Sequence, residues 1–158
     1  MKLSTRARYA LRMMVVIARR QDGESVLVSL NEVADESRVS RRYLEQLVIG
    51  LKNGALIRGK SGKGGGYILA RPADQIRLRE IFESAIGQIN IVDCVMHPEI
   101  CLKSDFCECR SLYALINSRI TSVLDSLVLA DLTDNDRLHE AIALLDENSE
   151  SAPCPEAL

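Results

Sequence analysis

The segment "SLNEVADESRVSRRYLEQLVIGLKNG" holds two helix starts closer together than one helix of ordinary length would need. Ser29 and Glu32 have the S-x-x-E spacing of a capping box, in which each side chain satisfies the other residue's unpaired backbone N–H. A helix therefore begins near Leu30, and it has to stop near Glu36 or Ser37, because Ser40 is a second cap. Beyond Ser40, the residues Tyr43, Leu44, Leu47, Val48 and Leu51 recur at helical spacing, and Asn53-Gly54 offers a stop that tolerates the left-handed conformation. Two short helices a tight turn apart, the second opening on Arg41 and Arg42, form a helix-turn-helix pattern.

The next stretch, "ALIRGKSGKGGGYILARP", has two short apolar runs, Ala55–Ile57 and Tyr67–Ala70, around a basic tip rich in glycine. This predicts a β-hairpin, and a hairpin directly after a helix-turn-helix is a wing. A nucleotide-phosphate loop is excluded, because "GKSGKGGGY" lacks the GxxxxGK[ST] spacing and leads into a strand.

Ahead of these elements, Ser4 caps a helix with Ala7, Leu11, Met14, Val15 and Ala18 on its apolar face. After them, "IRLREIFESAIG" predicts a helix buried through Leu78, Ile81, Phe82 and Ala85 and stopped at Gly87. The segment Asp93–Arg110 shows no clean period, and Pro98 makes it a predicted loop. From Ser111 a long helix carries Leu112, Leu115, Ile116, Ile120, Val123, Leu124 and Leu127, a stripe suited either to a core or to a second copy of the chain. A short acidic helix, Asp134 to Glu147, with His139 on its surface, precedes a tail in which Cys154 is a bystander thiol.

The expected fold is mainly α: a winged helix-turn-helix with a β-hairpin wing plus a long dimerisation helix. The expected segments are 1–80 for DNA binding, 81–110 for a short helix and the cysteine-rich loop, 111–132 for the dimerisation helix, and 133–158 for an acidic helix and tail.

Charge divides the chain in the same way. Residues 1–71 carry 14 Lys and Arg against 6 Asp and Glu, and residues 72–158 carry 6 against 16. A basic half suits a polyanion such as nucleic acid. The N-terminal apolar run, Met13–Ala18, is too short for a signal peptide or a membrane span, so a cytoplasmic protein without a membrane partner is expected. In a reducing compartment, five cysteines stay thiols or bind metal. Cys94, Cys101 and Cys107 have C-x6-C-x5-C spacing, and their thiolates suit an iron–sulfur cluster or zinc equally. No Ser/His/Asp grouping or carboxylate pair marks an enzyme.

The segments "LSTRARYALRMM", "YLEQLVIGLKNGALI", "GKGGGYILARP", "REIFESAIG" and "VLDSLVLADL" resemble the IscR/NsrR/CymR family of bacterial winged-helix transcription regulators over roughly residues 1–132. The resemblance implies a homodimer on an inverted-repeat, double-stranded DNA operator. It also implies an iron–sulfur cluster on Cys94, Cys101 and Cys107, of two or four irons, whose state sets DNA affinity in response to cluster supply, redox state or nitric oxide. The spacing departs by one residue from the family's common C-x5-C-x5-C. For a fourth ligand Cys109 ranks first and His97 second, followed by Glu108 or an external small molecule; where some relatives place a carboxylate on the first helix, this chain has Arg8.

Phosphate contacts are expected from Arg6, Arg8, Arg41, Arg42, Lys52, Arg58, Lys60 and Lys63, each steepening the log–log salt dependence by about 0.9. Base reading is expected from Ser40, Arg41, Arg42, Tyr43, Glu45 and Gln46 at the start of the recognition helix. The family resemblance singles out Glu45 for base selection. It also shows a departure in the wing, where Ser61 stands at a position that relatives often fill with arginine. Two other readings compete: a cluster-free regulator of the CymR kind acting through a partner protein, and an iron–sulfur electron-transfer protein, against which the basic half argues.

Overall fold

The computed structural model describes residues 3–21, 26–103 and 106–150; Cys154 lies outside them. Helix α1 (Thr5–Arg20) starts where Ser4 Oγ accepts the Arg6 N–H at 3.2 Å. Ala7, Ala10, Met13, Met14, Val16 and Ile17 are all buried, so the helix is covered on more than the one face its periodicity suggests. Extra cover comes from α4 (Leu78–Ile86), which packs along α1, while Leu11 and Val15 lie at the half-buried margin of the core.

The capping box of α2 (Leu30–Ser37) is formed: Glu32 N–H donates to Ser29 Oγ at 3.3 Å and Ser29 N–H to the Glu32 carboxylate at 2.8 Å. That backbone N–H, with smaller help from the Ser29 hydroxyl and Arg20, holds the Glu32 carboxyl below its ordinary 4.5. A depressed folded value gives stability that is full above the unfolded pKa and is lost as pH falls through the folded one. Glu32→Gln is therefore expected to lower the unfolding midpoint slightly at neutral pH, where the wild-type carboxylate contributes in full, and to converge with the wild type as pH falls below about 4.5; two curves separated by a constant gap across that range contradict it.

Arg38, at φ 58°, turns the chain through the left-handed region, Val39 is buried beneath it, and α3 (Arg41–Asn53) begins. Leu44, Leu47, Val48 and Leu51 are buried as the stripe predicts. At the far end the left-handed residue is Ala55 (φ 53°), not Gly54, which lies against the Ser84 side chain instead.

The wing is β1 (Ile57–Lys60) paired antiparallel with β2 (Gly66–Leu69), Ile57 opposite Leu69 and Lys60 opposite Gly66. The strands reach further toward the tip than the apolar runs indicate, because the pairing is backbone and needs no apolar side chain. Val28 joins them through two bonds with Tyr67, of 2.9 and 2.8 Å. A Cβ on Gly66 would sit 2.6 Å from the Val28 carbonyl oxygen, so the glycine permits this third pairing.

The segment expected as a loop is partly helical. It contains α5 (Asp93–Met96) and a 3-10 turn, Pro98–Ile100. Helix α6 (Glu108–Ser126) begins before the expected Ser111, because the Cys107 carbonyl already accepts the Arg110 N–H at 3.0 Å. It also ends before Leu127, which is buried. There the Leu78 N–H bonds the Leu127 carbonyl at 3.0 Å and the Leu129 N–H bonds the Ile76 carbonyl at 2.8 Å, turning 127–129 into the core. A final helix, α7, spans Asn135–Glu150, with His139 exposed.

Candidate DNA interface and cysteine segment

The burial of Leu44, Leu47, Val48 and Leu51 turns the opposite side of α3 outward, and Ser40, Arg41, Arg42, Glu45, Gln46 and Lys52 are all exposed there. Arg41 does not stand free. Its Nε donates to Glu45 Oε1 at 3.1 Å and its Nη1 to Asn31 Oδ1 at 3.0 Å, so two expected base readers neutralise each other in the DNA-free protein. Arg42 and Lys52, with no side-chain hydrogen bond or ion pair among the described residues, are the uncommitted cations of this face. Tyr43 is placed differently: its half-buried ring packs edge-on against Tyr9, with centroids 5.4 Å apart, at the margin of the core.

The wing brings Lys60 and Ser61 into one cleft with Ser29, Asn31, Arg41 and Glu45. Lys63 is exposed at the wing's tip, between Gly62 (φ 103°) and Gly64 (φ 75°). Arg58 is exposed but donates back to the Ala70 carbonyl at 3.0 Å. Arg6 and Arg8 lie at the exposed start of α1, where Arg8 donates to Thr5 Oγ1 at 3.0 Å, and neither lines that cleft. Two positioning residues carry no sequence signal. Asn31 holds Arg41 from α2, and Gln21 anchors the wing by accepting the Leu69 N–H at 3.1 Å while donating to the Val26 carbonyl at 3.1 Å.

The cysteines of the second region are divided among two short elements and the start of the long helix α6. Cys94 is on α5, Cys101 closes the 3-10 turn, Cys107 is the residue before α6, and Cys109 is in the first turn of α6. All four are free thiols, three half-buried and Cys109 exposed. As donors they fit a soft metal centre, yet among the described residues no three His, Cys, Asp or Glu side chains are gathered closely enough to hold a metal ion. His97, exposed, has Nδ1 3.2 Å from Glu99 Oε1; Glu108 is exposed on α6.

The segment is nonetheless tied firmly to α6. Arg110 Nε donates to the Cys94 carbonyl at 3.1 Å, and the buried Asn117 accepts the Ile91 N–H at 3.1 Å. Asn117 is the only fully buried residue of α6, and Leu112 (55% exposed), Leu115, Ile116 and Val123 are left uncovered along it. Among the described residues no helix is long and apolar enough to cross a membrane.

Known proteins share this architecture. The IscR transcriptional regulator of Cereibacter sphaeroides is 46% identical over 90 residues, a match that covers 57% of this chain and 58% of that protein. The CymR regulator of Bacillus subtilis is 36% identical over 132 residues, 84% of this chain and 89% of CymR; its solved structure, titled the global cysteine regulator, superposes with a TM-score of 0.71 at 33% identity, covering 84% of this chain and 96% of that one. The solved IscR of T. potens gives a TM-score of 0.66 at 27% identity, covering 98% and 93%. These relatives are transcription regulators and not enzymes, and their winged-helix fold is the one built here from capped helices and a hairpin. With residues 3–135 matching the model described as Rrf2, iron-dependent transcriptional regulator, the chain belongs to the Rrf2 family of DNA-binding transcription regulators.

Proposed function

We propose that the protein is a homodimer that grips an inverted-repeat operator with α3 and the wing of each copy, and that an iron–sulfur cluster in the cysteine segment governs the grip. Cys94, Cys101 and Cys107 would hold the cluster, with Cys109 ahead of His97 as fourth ligand. The cluster would supply a centre sensitive to redox state, nitric oxide or its own supply.

The observation that carries this reading is the attachment of the cysteine segment to α6 through Arg110 and Asn117. Drawing Cys94, Cys101 and Cys107 together moves the short elements that carry them and leaves the buried core in place. Such a movement pulls on α6, and Asp125 of α6 is bonded at 2.9 Å to Arg79 of α4. Helix α4 in turn packs directly on α3. The cysteines are thus joined to the DNA-reading helix through packed and hydrogen-bonded elements, and a coupling of about 1–3 kcal/mol changes affinity roughly five- to hundredfold.

Since no three donors stand gathered among the described residues, a second reading keeps support: a cluster-free regulator of the CymR kind, acting through a partner protein. Absorption spectra with iron and sulfide analysis of anaerobically purified protein separate the two. The cluster reading expects a coloured protein with iron and sulfide in equal amounts, and the same spectrum distinguishes two irons from four. Cys107→Ser is expected to be colourless. A wild-type protein that stays colourless and iron-free after reconstitution supports the CymR-like reading instead.

A further inference from the structure

Ile49 is 64% exposed in the second half of α3, outside the core cluster and its half-buried margin. A single exposed isoleucine is ordinary on a protein surface. Its position is not. At 100° per residue, Ile49 falls opposite the buried stripe of Leu44, Leu47, Val48 and Leu51, in the middle of the outward face. Its helical neighbours there are Arg42, Glu45, Gln46 and Asn53, all polar and exposed. It is the one large apolar side chain at the centre of the face that the proposed function turns toward DNA.

We infer that Ile49 reads thymine, through contact of its side chain with the C5-methyl group in the major groove. This rests on α3 being the recognition helix of the proposed function. The thymine methyl is the only apolar group that a base edge offers in that groove, and apolar side chains are its chemical match. Ile49 lies two turns beyond Arg42, about 10 Å along the helix axis, which corresponds to roughly three base pairs. Recognition helices read bases over such a span, with contacting residues up to seven positions apart. Arg42 and Gln46 then read hydrogen-bonding edges, while Ile49 adds a thymine preference displaced along each half-site.

The test starts from a randomised double-stranded DNA library selected with the full-length wild-type protein. Each thymine of the enriched site is then replaced in turn by uracil, which differs only in lacking the methyl group. The expected result is one thymine per half-site whose replacement weakens binding about fourfold, the worth of one buried methyl group. Ile49→Ala should bind the thymine and uracil duplexes equally while keeping the wild-type unfolding midpoint. Ile49→Val should keep part of the discrimination. No uracil effect at any position in the wild type, or an effect that persists in Ile49→Ala, overturns the assignment while leaving α3 as the DNA-reading helix. A library from which nothing enriches overturns both this assignment and the DNA-reading role of α3.

Discussion

Replacing Gly50 by alanine is expected to lower the thermal midpoint by roughly 4–8 °C, although alanine is the better helix former by about 1 kcal/mol. Gly50 sits inside α3 where that helix crosses α4, and a Cβ there would lie 2.2 Å from the carbonyl oxygen of Ser84 and 3.3 Å from its carbonyl carbon. Those atoms are backbone in the last turn of α4, so the clash cannot be relieved by turning a side chain. The helices must part, and overpacking of this kind costs about 1–3 kcal/mol and sometimes more. Set against alanine's gain of about 1 kcal/mol, an overpacking cost against rigid backbone of about 3 kcal/mol, the upper end of that range, leaves a net loss of about 2 kcal/mol. It should be accompanied by weaker DNA binding, because α3 is displaced from the α1–α4 platform. Unfolding curves of Gly50→Ala beside Ile49→Ala provide the check, the second being an exposed neighbour on the same helix. An unchanged or raised midpoint for Gly50→Ala would mean that the crossing has room.

The second large effect concerns assembly. Helix α6 is 19 residues long, about 28 Å, and buries only Asn117 within its own chain. Leu112, Leu115, Ile116 and Val123 face outward with 55%, 38%, 37% and 46% of their surface exposed. A stripe of that length is the kind of surface that a second copy covers in the proposed homodimer, by isologous pairing about a two-fold axis. The paired variant Ile116→Glu, Val123→Glu should sediment as a monomer with unchanged helical content. Its operator affinity should fall about a hundredfold or more, because the two half-sites are no longer bound as one unit. A variant that remains dimeric would place the interface elsewhere on the chain.

Local chemistry was legible in the sequence where a few neighbouring residues decide it. The Ser29–Glu32 box, the Ser4 cap, the buried stripe of α3 and the Gly87 stop all follow from spacing, and all are formed. What was hidden depends on residues distant in the chain. Periodicity continues smoothly from Leu124 to Leu127, yet α6 stops between them because the strand-like residues 76–78 capture the backbone of 127–129. Val28 has no strand of its own to announce it, and its pairing with Tyr67 is fixed by Gly66 far along the sequence.

The same holds for the candidate sites. The basic residues of α3 and the wing were evident as a group, but not that Asn31 and Glu45 would occupy Arg41 or that Tyr43 would lean on Tyr9. Cysteine spacing named a donor set. It could not show that the donors are divided among α5, a 3-10 turn and the start of α6, nor that Asn117 fastens the segment before them to α6.

Control of DNA binding by the cysteine segment is tested most directly by comparing two forms of one anaerobic preparation on one DNA duplex. Operator affinity is titrated with the cluster in place and again after its removal, at a single fixed salt concentration, since salt alone shifts such affinities by orders of magnitude. A change of at least about fivefold is predicted, the lower end of ordinary coupling between sites. Equal affinities in protein shown by iron and sulfide content to have gained and lost its cluster would contradict the account.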